Sequence, residues 1–248
     1  MFFVGHISIA FIISYLIVTR FRVRNISLSL VLFLSVLPDI DILFRFTGID
    51  IVHRSITHSI IVCSIIFFIF LLKYRRSSII VYFIAYLSHF AVGDLIVGPL
   101  NLLYPFGTFY LAGGIDFKTS EHIFVEALVL AITAIVVVAQ YLRNLKRNNP
   151  FPFDYSKKLD PIFYPWLILA IMVSLAFLLD ESQKELFEFP NTFFSLFQSY
   201  DNFNTIAIVA LHVTSIAMVI SLWIITRRNM NPRYPHQAKK EQPSEQKL

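Results

Sequence analysis

Long apolar runs separated by short polar breaks dominate the chain, at 2–19, 26–46, 58–72, 77–97, 121–142, 162–179 and 205–226. A helix needs about 20 mostly apolar residues to cross the hydrocarbon core of a bilayer. The runs therefore predict an all-α polytopic membrane helix bundle of about seven transmembrane helices. The third run is short, and tilt or a start nearer Arg54 lengthens it. The second and fourth carry charges inside them.

The breaks divide the chain further. Residues 1–142 hold five runs and nearly all of the buried polar chemistry, and 143–228 add further membrane helices. Between Asp180 and Asn204 an aromatic, mildly acidic stretch (Phe187, Phe189, Phe193, Phe194, Phe197, Tyr200, Phe203) suits a segment lying in the outer interface. The tail 229–248, rich in Pro, Gln, Lys and Glu, is expected to be disordered and cytoplasmic.

Composition agrees with the pattern. Apolar residues make up 56% and charged residues 15% of the 248, with a mean hydropathy of +0.67, which excludes a disordered chain and an ordinary soluble enzyme. The lone Cys63 sits inside an apolar run and excludes a disulfide scaffold. A formal charge of +5 misleads until the charges are placed. All but Arg45, Arg54, Lys118 and Lys184 of the 21 Lys and Arg follow the first, third, fifth or seventh run. Basic residues collect on the cytoplasmic side. The N-terminus is therefore expected outside and the C-terminus in the cytoplasm. The first run is not expected to be a cleaved signal, since its positive charge follows the apolar stretch. The same pattern uses up the basic residues, leaving no case for nucleic acid as a partner.

Ionisable side chains at membrane depth are costly and usually mark function. Here they gather at one end. His6 opens the first run; Asp39 and Asp41 lie in Leu-Pro-Asp-Ile-Asp at 37–41, toward the outer end of the second. His53, Arg54 and His58 precede or open the third, His89 and Asp94 lie toward the outer end of the fourth, and His122 and Glu126 open the fifth. Imidazole and carboxylate together form a donor set for Zn²⁺ or a similar divalent ion. His122 and Glu126, one helical turn apart, share a helix face. Asp39 and Asp41 diverge on a helix but converge in a turn, and Pro38 makes such an irregularity reasonable. Arg54 suits a phosphate or carboxylate, or a salt bridge to Asp50 or Asp41. His212, alone in the seventh run, reads as a packed or helix-bridging histidine.

Gly5-His6, Leu-Pro-Asp-Ile-Asp at 37–41, His-Arg-x-x-Thr-His-Ser at 53–59, and Tyr-Leu-Ser-His at 86–89 followed by Asp94 and Leu-Tyr-Pro-Phe at 103–106 together resemble the YdjM-like family of membrane-bound metal-dependent hydrolases. The resemblance covers roughly residues 1–126 and implies a membrane-embedded, metal-binding, hydrolytic protein. The family pattern has His-x-x-x-Asp in the fourth helix, whereas His89 and Asp94 stand five apart, about 140° off a common face of a regular helix. A π-bulge restores the pairing, and Gly93 would ease it. More distantly, the order His6, Asp39, His58, His89 with Asp94, and His122 with Glu126 looks like that of the zinc phospholipase C and P1-type nuclease superfamily. The N-terminal Trp ligand of those enzymes has no counterpart in Met1-Phe2-Phe3.

The expected function is a metal-dependent hydrolase with its site at the outer face, holding a divalent metal, foremost Zn²⁺. The expected metal ligands are His6, Asp39, His53, His58, His89, Asp94 and His122. Asp41 or Glu126 is expected to serve as general base and Arg54 to hold the oxyanion of a phosphoester. The bilayer is the expected partner and a lipid phosphoester the expected substrate. An aromatic loop at 98–120 is expected to act as a lid. The alternatives are an ion or metal transporter and a non-catalytic scaffold of the same fold. A transporter needs polar groups across the full thickness, and the inner halves of the runs read as apolar.

Overall fold

The computed structural model describes residues 3–41, 56–74, 77–96, 100–106, 110–111, 114–115, 119–147, 152–153, 168 and 202–229. Nearly all of these are helical. They form α1 (Phe3–Phe21), α2 (Leu28–Val36), α3 (Ile60–Tyr74), α4 (Ser77–Ser88), α5 (Ser120–Arg147) and α6 (Asn202–Asn229). Short 3₁₀ turns follow α2 (Leu37–Asp39) and precede α3 (Ile56–His58), and a π-helical turn (His89–Asp94) continues α4. Besides turns, the described residues include a minimal antiparallel ladder of β1 (Leu100–Asn101) with β2 (Tyr110–Leu111), pairing Leu100 with Leu111 and Asn101 with Tyr110.

Three helical stretches are long and apolar enough to cross a membrane: Phe3–Phe21, Ser77–Asp94 and Ser120–Arg143. Leu28–Asp39, Ile60–Lys73 and Val209–Ile224 are shorter apolar helices. These six coincide with six of the apolar runs. The run at 162–179 and most of the aromatic stretch before Asn204 lie outside the described residues, as does the tail beyond Asn229.

Exposure is inverted relative to a soluble bundle. On α3, Ile65, Ile66, Phe68, Ile69, Phe70 and Leu72 are exposed, and α5 exposes Phe124, Leu128, Ile132, Ile135 and Val138. Those faces suit lipid. The interior is built on α1, whose Phe3, Ile7, Ala10, Phe11 and Val18 pack with Val31 and Leu32 of α2, Val81 and Ala85 of α4, and Leu222 of α6. Small residues such as Ala10 and Ala85 permit close helix approach, which matters in lipid because apolar burial itself gives little advantage there.

Helix starts and pairings follow from local chemistry. Ser27 caps α2, its hydroxyl accepting from Leu30 N–H at 3.3 Å, while its own N–H donates to the Tyr82 hydroxyl at 2.9 Å. The turn between α1 and α2 places Arg22 and Asn25 at φ 52° and 60°, a region Asn tolerates better than Arg. The Thr133 hydroxyl reaches the Ser8 carbonyl at 3.4 Å, and the Tyr15 hydroxyl donates to Gln140 Oε1 at 3.0 Å. The second pair lies two turns beyond the first on both helices, so α1 and α5 run parallel. Ser14, Thr133 and the Tyr15–Gln140 pair also correct the expectation of apolar inner halves. Hydroxyl and amide groups continue down the bundle, although most of its buried ionisable groups stay at one end.

Candidate metal centre

Four chain segments deliver that end. His6 lies one turn into α1, Asp39 closes the 3₁₀ turn after α2, His58 closes the turn before α3, and His89 and Asp94 bracket the π turn after α4. All five side chains are buried, as are Asp41, His122 and Glu126. Pro38, early in the turn Leu37–Asp39, accompanies the change from α to 3₁₀ winding. The π turn carries a bond from the Leu95 N–H to the Phe90 carbonyl, five residues back. It overlays residues five apart, so His89 Nε2 lies 3.5 Å from Asp94 Oδ2.

One nitrogen or oxygen from each of Asp39, His58, His89 and Asp94 falls within a sphere where all four lie within 4.8 Å of one another. His58 Nε2 is 3.2 Å from His89 Nε2, 3.5 Å from Asp39 Oδ1 and 3.1 Å from Asp94 Oδ2. His89 Nε2 is 3.2 Å from Asp39 Oδ1. A tetrahedral ion with bonds of about 2.0–2.2 Å would need ligand–ligand edges of about 3.3–3.6 Å. The spacing fits.

Proton placement strengthens the fit. His89 Nδ1 lies 2.6 Å from the Ser35 carbonyl, an acceptor only, so Nδ1 carries a proton and Nε2 is the nitrogen turned into the cluster. The Thr57 hydroxyl donates to Asp41 Oδ2 at 2.8 Å and lies 3.0 Å from His58 Nδ1, so it can accept from that nitrogen. Asp41 Oδ2 is itself 3.5 Å from His58 Nδ1. With a proton on each Nδ1, both imidazoles can present Nε2 to an ion beside two carboxylates. A cation between these atoms, or a proton on an Nε2, offsets the repulsion of two carboxylates set so close. Asp39 Oδ2 is buried without a hydrogen bond among the described residues.

His6 adjoins the cluster. Its ring stacks on His89 with centroids 3.7 Å apart and planes at 14°, and its Nε2 is 3.6 Å from Asp94 Oδ1 and 4.0 Å from Asp39 Oδ2. These oxygens belong to the same two carboxylates that face His58. Gly93 makes room for the ring: a Cβ there would stand 2.5 Å from His6 Nδ1 and 2.6 Å from Cε1. His122 and Glu126 form their own buried pair, Nε2 to Oε1 at 3.1 Å, at the start of α5. Val125 and Val129 pack with Ile9 and Ile96, placing this part of α5 beside α1 and the segment following Asp94. His53 and Arg54 lie outside the described residues.

The sequence reading passed over three groups here. The Ser35 carbonyl is invisible to it, because a backbone acceptor has no letter. The Thr57 hydroxyl, with nothing in the sequence to mark it, bridges Asp41 and His58. Tyr86 donates its hydroxyl to the Thr57 carbonyl at 2.7 Å and so fixes the turn that carries His58.

The buried His and Asp cluster, held among apolar helices with lipid-facing exteriors, defines a multi-pass membrane protein with a candidate metal site. Residues 1–178 match the model of the YdjM inner membrane protein family, and the chain belongs to that family. No curated protein and no solved structure matches it. The likeness to zinc phospholipase C and P1-type nucleases rests on residue order alone.

Proposed function

We propose that this chain is a metal-dependent hydrolase of the cell membrane whose centre is held by Asp39, His58, His89 and Asp94 and opens toward the outer face. The observation that carries the reading is the set of near-tetrahedral edges among four buried acceptor atoms. A divalent ion held there would supply Lewis acidity, and it could acidify a water only through a fifth position or one vacated by a carboxylate, since four protein donors close a tetrahedral site.

The chain's own groups do the rest. Ser35 and the Thr57–Asp41 pair hold the two imidazoles in the tautomer that presents Nε2. His6 stacks behind His89 and faces the remaining carboxylate oxygens, a further donor on the same centre. Glu126, hydrogen-bonded to His122, is the proton acceptor in this reading. Asp41, set behind His58, becomes a positioning group in preference to a base. Arg54 holds the anionic oxygens of a phosphoester, with His53 as an additional ligand. The substrate is a lipid phosphoester reached at headgroup level. Seven spans, an outer N-terminus and a cytoplasmic C-terminus complete the arrangement, supported by the one-sided Lys and Arg and by parallel α1 and α5.

The test is metal content by elemental mass spectrometry on purified protein, wild type beside Asp39→Ala and His58→Ala, followed by a phosphoester and lipid screen. Stoichiometric Zn²⁺ lost in both variants, with hydrolysis lost alongside, is the expected result. A folded wild type that holds no ion after incubation with Zn²⁺ would overturn it.

A further inference from the structure

The turn that carries His58 is fastened to a second segment. The Ile60 N–H donates to the Leu102 carbonyl at 3.0 Å, and the Ser59 hydroxyl donates to the Tyr104 carbonyl at 2.5 Å. A further bond, from the Phe106 N–H to the Leu103 carbonyl at 2.8 Å, folds 103–106 into a tight turn. The β1–β2 ladder closes the segment at its base. This strap therefore sits in register with the metal-centre end of the bundle.

Its outward side is apolar. Leu103, Tyr104 and Phe106 are 39%, 37% and 80% exposed, and Ile56, on the fastened turn, is 48% exposed. No Asp, Glu, Lys or Arg occurs at 56–72 or at 100–106. On α3, which starts at the fastened turn, Ile65 and Ile66 begin a row of exposed apolar side chains. An uncharged turn with an aromatic tip, joined to a lipid-facing helix, matches the boundary between headgroups and acyl chains, where amphipathic aromatic groups settle.

From these observations we infer that Ile56, Leu103, Tyr104 and Phe106 form a lipid-contact surface inserted at the membrane interface beside the turn that carries His58. The occupant is the bilayer itself, through the glycerol end of phospholipid acyl chains. This deepens the hydrolase reading, on which it rests for one point: the surface would place a phospholipid headgroup next to His58. The lipid contact stands on its own geometry.

The experiment uses the full chain in phosphatidylcholine–phosphatidylglycerol vesicles, with Trp166→Phe and Trp223→Phe removing the native indoles. Single reporters are placed as Phe106→Trp and Ile56→Trp, with Ile69→Trp on the exposed face of α3 as the reference. Phosphatidylcholine brominated near the headgroup end of its chains should remove about half or more of the emission at positions 106 and 56. Bromine deeper in the chains should quench them less and Trp at 69 more. Emission at 106 and 56 untouched by either lipid, with position 69 quenched, would overturn the proposal. Loss of quenching at all three would overturn it together with the membrane placement of α3. A metal-free but normally quenched protein would sink the hydrolase reading and leave the lipid surface standing.

Discussion

His89 and Asp94 stand five positions apart on one helix, yet His89 Nε2 lies 3.5 Å from Asp94 Oδ2, because the π turn between them widens the helix by one residue. The extra residue leaves Gly93 under the His6 ring, whose Nδ1 a Cβ at that position would approach to 2.5 Å. Spacing, winding and packing are thus one feature seen three ways.

Gly93→Ala should therefore act through His6. Overpacking of this kind destabilises by about 1–3 kcal/mol, so a lower melting temperature and weaker metal retention are expected. Gly114→Ala, where an added Cβ meets nothing within 4 Å, is the matched control and should change neither. Equal behaviour of the two variants would contradict the packing described for His6.

Thr57→Val keeps the shape of the side chain and removes the hydroxyl that links Asp41 to His58 Nδ1. Groups that orient a ligand histidine typically contribute 10–100-fold to metal affinity, and a loss of about that size is expected by chelator competition. Asp41→Asn should act in the same direction, since an amide remains able to bond the Thr57 hydroxyl but carries no charge.

Asp94→Asn separates the empty centre from the loaded one. Added Zn²⁺ at about 100 times its dissociation constant should stabilise the wild type by about 2.7 kcal/mol. The variant should gain far less. An equal gain in the two proteins would argue against Asp94 as a ligand.

Gln140→Leu removes the partner of the Tyr15 hydroxyl deep in the α1–α5 contact. Interhelical hydrogen bonds in lipid are worth about 0.6 kcal/mol on average and up to about 1–2. A small loss of stability with unchanged metal content is expected, because this pair lies away from the cluster. Metal loss on this substitution would show that the register of α1 against α5 reaches the centre.

Much of this was legible in the sequence because lipid imposes simple rules. Apolar runs must be helices, and the costly groups His6, Asp39, His58, His89 and Asp94 stood out against them. Even the irregular winding near Pro38 and Gly93 followed from the need to bring donors to one face. Contacts that depend on where one helix meets another were not legible. The offset that sets Tyr15 against Gln140, and the reach of Tyr86 to the Thr57 carbonyl, have no local signature. Hydroxyls below the metal-centre end escaped notice because a Ser or Thr inside an apolar run scarcely changes its hydropathy. The residues His53 and Arg54 carry roles proposed from sequence alone.

One anchor of the centre is outside the reach of the genetic alphabet. His89 is aimed by the Ser35 carbonyl, while the Ser35 hydroxyl turns away to the Leu32 carbonyl at 2.8 Å. Replacing Ser35 by Ala or Gly would delete the hydroxyl and leave the acceptor in place. Drift at codon 35 can therefore proceed without erasing this anchor. A lineage could lose it only by reshaping the last turn of α2, so the path of the main chain, and no particular side chain, is what selection must preserve there.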